Sequence, residues 1–376
     1  MIEKIDGRQF TILVIMNTLG ASIIFIPSIA ASIGKENGWL TVIIATLSGL
    51  LIILLYNAII NQQMEKSIFS LIEETFGKWL GFMLIIFFNG YIYLNAVANV
   101  WSIGDFMSLQ ILMGTPEEAI ELLIVITALI AVRYGMEVIG RTAEVFIPFT
   151  LFFALLVTIL VMKDANIENI QPVFQLNRIG TFVGALPIIG ITYLELFILL
   201  GMTHKVNRPK SAKRGLMLGG FISGGILSII TFACIMVLGV KATTHYTYPI
   251  YALGQRISIM DFFERIEILV AFIWFFTIFF KICISYYVLE TGLNHLFKLK
   301  DNKTFSIPLA LLLFFGATIM VPNTFNAYSF ISGPYFVVSF VFAFILPVCI
   351  LLASIARKKV KKMTKNGTEQ SKNGSG

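Results

Sequence analysis

The chain has 376 residues, of which 57% are hydrophobic and only 13% are charged. A soluble domain is about half apolar and about a quarter charged, so this composition is that of a polytopic membrane protein. The formal net charge of +7 does not bring in a nucleic-acid partner, because the basic residues sit in short loops and the tail, where membrane topology puts them.

Chemistry-bearing residues are sparse. The three cysteines (Cys234, Cys283, Cys349) fall inside apolar runs, and the three histidines (His204, His245, His295) are far apart. Neither set has metal-ligand spacing. With no nucleophile–base–orienter set either, no metal, cofactor or enzymatic activity is expected.

A span needs about 20 apolar residues. On that measure ten spans are expected: residues 9–33, 39–61, 79–108, 118–132, 138–162, 181–202, 216–240, 266–289, 305–321 and 329–356. The first is interrupted at its centre by Asn17-Thr18-Leu19-Gly20-Ala21-Ser22. Exposed backbone is tolerated at membrane depth only where it lines a cavity or is held by protein. The interruption therefore reads as a discontinuous helix around Gly20, Ala21 and Ser22, whose freed amides suit a carboxylate. Small residues also serve close helix packing, and this stretch alone does not separate the two readings.

After the second span, Ser67 to Phe76 places Ile68, Phe69, Ile72 and Phe76 on one helical face, which predicts a short interfacial helix. The third span carries Asn89, Tyr91, Tyr93, Asn95 and Asn99. Tyr91 and Asn95 share a face at i, i+4; they are candidate cavity residues, interhelical hydrogen bonding being the alternative. Glu137, Arg141 and Glu144 read as structural pairs near one end of the fifth span. The connection from Lys241 to Arg265 is the longest, with helix expected from Ile250 onward.

The sixth span is punctuated by Gly184, Ala185, Pro187 and Gly190. Pro187 removes a donor and frees a carbonyl one turn back, which predicts a second broken helix. Glu195 follows as a candidate gate or proton-sensitive group, a pair with a basic loop residue being the alternative. In the eighth span Lys281 lies deep in an apolar run. An intramembrane ammonium marks function or a paired structural site; the functional version has Lys281 standing in for a coupling cation near Ser22. Breaks at the first position of two five-span halves of opposite direction point to an inverted-repeat transporter fold. The repeats cover about residues 9–162 and 181–356 within one membrane domain, 1–356. Two unrelated kinks are the alternative.

Basic residues alternate from loop to loop so that one face receives most of them. Both termini are therefore expected on the cytoplasmic side. Residues 357–376 form a basic tail, expected to lie against anionic lipid and to be disordered toward its end.

Three further stretches carry a family resemblance: Asn169-Ile170-Gln171-Pro172-Val173, Arg141-Thr142-Ala143-Glu144-Val145-Phe146-Ile147-Pro148, and Phe263-Glu264-Arg265-Ile266-Glu267 leading to Trp274 and Lys281. With the interrupted first span, the chain resembles the spore germination permease-like B subunits of the GerAB/GerKB family, in the amino acid–polyamine–organocation superfamily. The resemblance covers about residues 5–357. It implies an all-α, ten-span LeuT-like fold with a 5+5 inverted repeat, in the inner membrane of a bacterial spore. It also implies an A-type membrane subunit and a C-type lipoprotein subunit as partners. The implied ligand is a small nutrient such as an amino acid, its carboxylate at Gly20, Ala21 and Ser22 and its amine at carbonyls of Gly184 to Pro187. Ala21 stands where many transporters carry Gly. Sensing is the leading expectation. A proton- or cation-coupled amino acid transporter is the alternative, since a shared fold does not fix function.

Overall fold

The structure, a computed structural model, describes residues 4–63, 66–172, 178–256, 266–299, 303–320 and 324–373, with backbone alone for 178–179, 320, 324–327 and 360–373. Val173 and Phe263 to Arg265, cited above in the resemblance, lie outside the described residues, as do residues 257–265 of the long connection. Among the described residues regular structure is helical, apart from one isolated bridge between Ile5 and Val206.

The helices in chain order are α1 Gly7–Leu19, α2 Ser22–Gly34, α3 Gly38–Gln63, α4 Ile68–Phe76, α5 Lys78–Phe106, α6 Glu117–Tyr134, α7 Met136–Val161 and α8 Arg178–Thr192. Then come α9 Pro209–His245, α10 Pro249–Gln255, α11 Glu267–Leu296, α12 Ser306–Met320, α13 Thr324–Ile331, α14 Pro334–Phe340 and α15 Leu346–Asn373. A 3₁₀ segment, Leu194–Gly201, follows α8. Seven helical stretches among the described residues are long and apolar enough to cross a membrane, by length and composition. Leu51, Trp79, Leu123, Phe152 and Ile319 are among the large apolar residues left on the outside, as lipid-facing surface requires.

Helix α1 is buried from Leu13 to Leu19 and runs against α7, α9 and α11. Its start is fixed by a capping box: the Asp6 carboxylate accepts from the Gln9 amide at 2.7 Å and the Gln9 side chain accepts from the Asp6 amide at 3.1 Å, satisfying two amides that a helix start leaves open. On α9, Gly215 and Gly219 meet Phe10 and Val14 of α1, while Gly220 and Gly224 meet α3 and Tyr193. These two small-xxx-small rows bring the three helices together where larger residues would hold them apart.

Several local expectations meet the structure directly. Helix α4 forms where its apolar face predicts, capped by Ser67, whose hydroxyl accepts from the Ser70 amide at 3.2 Å; Ile68, Phe69 and Ile72 are buried against the protein. Arg141 pairs with Glu137 at 2.7 Å, whereas Glu144 accepts from the Gln9 side chain at 3.0 Å. Helix α9 takes up the start of the long connection, to His245, and α10 covers Pro249–Gln255 within it. Helix α15 continues through the basic stretch to Asn373; Lys, Arg, Met and Gln extend a helix already nucleated by the apolar residues before it.

Candidate functional site

Between α1 and α2 the backbone leaves helical space. Gly20 has φ −8° and ψ −112°, its amide still donating to Met16 at 3.0 Å, and α2 starts afresh at Ser22. Lys281 of α11 fills the gap: a Cβ built on Gly20 would lie 2.6 Å from Lys281 Cδ and 3.2 Å from the Asn17 carbonyl oxygen. Only glycine lets the lysine stem cross here. Asn17 and Ser22 flank the gap, both buried, and their side-chain polar atoms have no hydrogen-bond partner among the described residues.

The ammonium of Lys281 reaches Glu195, the second residue of the 3₁₀ segment after α8. Both side chains are buried, 1% and 4% exposed, so neither charge is balanced by solvent. Removing two ions from water costs several kcal/mol each, and only close pairing with further hydrogen bonds offsets it. Glu195 has such a bond, while the Lys281 ammonium has no hydrogen-bond partner beyond this ion pair among the described residues. The Tyr335 hydroxyl donates to the other Glu195 oxygen. Tyr335 in turn accepts from the Asn95 amide at 3.0 Å. The Asn95 oxygen accepts from Ser285 at 3.1 Å and from Asn99 at 3.2 Å. Tyr91 donates to Ser339 at 3.4 Å and stacks on Phe342, ring centroids 5.6 Å apart. One connected network thus ties α5, the 3₁₀ segment, α11 and α14.

A cavity of about 290 Å³ opens beside this network. Ala21, Tyr91, Asn95 and Glu195 contribute to its wall; the rest is largely apolar, including Phe25, Trp101 and Phe330. A concave, mostly apolar chamber with a few converging polar groups is the usual form of a small-molecule site.

The structure brings together six of the residues singled out from the sequence. Ala21, Tyr91, Asn95 and Glu195 line the cavity, Lys281 pairs with Glu195, and Gly20 makes room for Lys281. Ser22 begins α2 beside them. The remaining four behave differently. Gly184, Ala185, Pro187 and Gly190 all lie inside α8, which runs without interruption from Arg178 to Thr192. The expected opening at Pro187 is absent because a proline deprives the helix of one bond only, and packing on both sides holds the rest. Gly184 lies against Ile33 and Thr41, and Gly190 against Phe336, so both serve helix contact. The change of backbone comes after the end of α8, at Tyr193, whose ring is wedged against Gly49, where a Cβ would approach it to 2.1 Å, and whose hydroxyl donates to the Gly220 carbonyl at 3.2 Å.

Sequence reasoning missed Tyr335 and Ser285. Both sit in apolar helices with no distinguishing pattern. The Glu195–Lys281 pairing had a signal: opposite charges deep in two different apolar segments need each other.

Seven long apolar helices make this a multi-pass membrane protein, helical among the described residues, and its fold is that of LeuT-type transporters. The backbone superposes on a Na⁺-coupled sialic acid symporter in a substrate-bound outward-open state with a TM-score of 0.61, at 14% identity over 92% of this chain and 80% of that one. It matches MhsT in complex with L-phenylalanine equally well, TM-score 0.61, at 16% identity over 94% and 99% of the two chains. A manganese transporter of Eremococcus coleocola gives 0.60 at 13% identity over 90% and 78%.

The sequence narrows the class further. The family model described as "Spore germination protein" matches residues 4–327, and the chain belongs to that family. Among its relatives in Bacillus subtilis (strain 168), spore germination protein YndE is 26% identical over 96% of this chain and 99% of its own length. Spore germination protein KB is 22% identical over 96% and 97%. It is a family of permease-like membrane proteins, not of enzymes.

Proposed function

We propose that this chain is the ligand-sensing B-type subunit of a spore germination receptor in the spore inner membrane, binding an amino acid or similar small nutrient in the cavity beside Ala21. The elements are read as ten spans: α1 with α2, α3, α5, α6, α7, α8 with the 3₁₀ segment, α9, α11, α12, and α14 with α15. Both termini then lie on the cytoplasmic side, and the cavity lies at mid-membrane.

The observation that carries the reading is the cavity's wall. It combines the gap between α1 and α2, the Glu195 carboxylate and a buried hydrogen-bond network on a largely apolar chamber. The first amides of α2 have no acceptor within their own helix and suit the ligand's carboxylate, with the Ser22 hydroxyl beside them. The ligand's ammonium meets Glu195 and Tyr335, where it competes with Lys281. Pro187 and its neighbours, being helical, leave the amine to these side chains. Lys281 takes the place of a coupling cation next to Gly20. Its choice between Glu195 and the carbonyl ends around Gly20 is the two-state element that a ligand biases. A ligand shifts such an equilibrium only by its difference in affinity for the two states. The A-type and C-type partner subunits read out that shift.

A second reading, a coupled amino acid transporter, is favoured by the fold shared with a Na⁺-coupled symporter. Sealed proteoliposomes separate the two. Label from a panel of radiolabelled amino acids is followed while internal volume is shrunk osmotically. Saturable label that stays constant supports sensing; saturable label that falls with volume overturns it in favour of transport.

A further inference from the structure

A second polar cavity, of about 510 Å³, lies at the end of the bundle where Ile5 bridges to Val206. Three elements form it: the start of α4 at Ser67, the turn Thr203–Lys205 after the 3₁₀ segment, and the last turns of α11 from Tyr287 with the residues that follow, Lys298 and Leu299. Its charge is unbalanced. Lys205 and Lys298 both contribute to the wall, and neither has an acidic partner among the described residues. Glu73 is the single acid of the lining, and it is already engaged by His295 at 3.0 Å.

Two details favour a negative guest. The end of a helix normally presents open carbonyls that repel anions. Here the carbonyls of Leu293, Asn294 and His295 accept from the amides of Phe297, Leu299 and Lys298, a closure made by Lys298 in the left-handed conformation at φ 53°. The negative end of α11 is therefore muted. Opposite it, the His204 imidazole has a buried Nδ1 without a hydrogen-bond partner among the described residues. Burial first, and then the neighbouring Lys205 ammonium, hold His204 down to about 4, so it is neutral and the charge on this side of the wall is that of Lys205. Ser67 adds a hydroxyl that can donate.

We propose that this cavity binds a phosphoryl group, held by Lys205 and Lys298 with the Ser67 hydroxyl as a further contact. The cavity has room for more than the phosphoryl itself, so the group belongs either to a soluble phosphate compound or to an anionic lipid headgroup. Occupancy ties α4 and α11 to the turn that follows the Glu195 segment, and so braces one end of the bundle without touching the central cavity. The inference is independent of what the central cavity binds.

The test uses the full-length chain in maltoside detergent. Thermal unfolding is recorded while inorganic phosphate replaces chloride at constant ionic strength, with acetate as the control anion. The series is repeated with dihexanoyl phosphatidylglycerol against dihexanoyl phosphatidylcholine. A ligand that binds only the native state raises the melting temperature with the logarithm of its concentration once that exceeds Kd. The expected result is such a rise with phosphate beyond that of acetate, or with phosphatidylglycerol beyond that of phosphatidylcholine, the first identifying a soluble source and the second a lipid one. Lys298→Gln, at an exposed position that leaves folding intact, is expected to weaken the response by about tenfold through loss of a charge-assisted contact; Lys205→Gln should do the same. A rise as large with acetate, no rise beyond the controls with either phosphoryl compound, or an unchanged response in Lys298→Gln overturns the proposal.

Discussion

The chain changes course twice beside the cavity, and the two changes are built differently. Between α1 and α2 the helix stops: Gly20 adopts torsions no helix uses, and the side chain of a distant lysine crosses the opening. After α8 the chain stays continuous, tightening into a 3₁₀ segment from Leu194 to Gly201. The first change is made by a small residue with something to put in its place. The second occurs not at Pro187, which the helix absorbs, but at Tyr193, a large ring held by Gly49 and Gly220. Breaking residues therefore do not position a break on their own; what packs into the opening does. Lys281 and Glu195 join the two sites, so the lysine over the first gap is neutralised by the carboxylate of the second.

Cutting that link gives the largest expected effect. Glu195→Ala leaves a buried ammonium uncompensated and should cost about 3–5 kcal/mol, read as a fall in melting temperature of the purified chain. The double variant Glu195→Gln/Lys281→Met should recover most of it. A loss below 1 kcal/mol in the single variant would mean that the pair is not what joins the two sites.

Gly20→Leu comes next. Its side chain collides with the Lys281 stem and should cost about 1–3 kcal/mol as an overpacked site, with amino acid binding abolished while the protein still inserts in the membrane. Tyr335→Phe removes one hydrogen bond to Glu195 and one acceptor for Asn95, for about 1–3 kcal/mol. It should weaken ligand binding more than it lowers melting temperature. Pro187→Ala is the sharpest contrast and the smallest effect. Because α8 is helical through this position, stability should hold or rise slightly, and ligand affinity should stay within about twofold, a few tenths of a kcal/mol. Loss of binding in that variant would restore an opening at Pro187.

The all-helical membrane class was legible from composition, since nothing else accommodates so many apolar residues and so few charges. The gap at Gly20 was half legible: small and polar residues at the centre of an apolar run suit an opened backbone, but they suit close helix packing as well. The position of the second change was not. Gly184, Pro187 and Gly190 carry the local signal for a break, but their contacts with Ile33, Thr41 and Phe336 come from elements far away in sequence. Tyr335 escaped for the same reason: its hydroxyl is polar only in relation to Glu195 and Asn95, which lie 140 and 240 residues from it. Lys281 and Glu195 could each be flagged alone, and their pairing followed once both were known to be buried.

The central claim is that the cavity beside the α1–α2 gap holds the ligand. It is tested most directly by filling that cavity. Saturable binding of labelled amino acids to the purified chain should be compared between the native protein and Ala21→Phe, with helical content and melting temperature recorded for both. The account predicts that Ala21→Phe folds and melts like the native chain and binds no amino acid. Equal affinity in the two proteins would place the ligand somewhere else in the molecule.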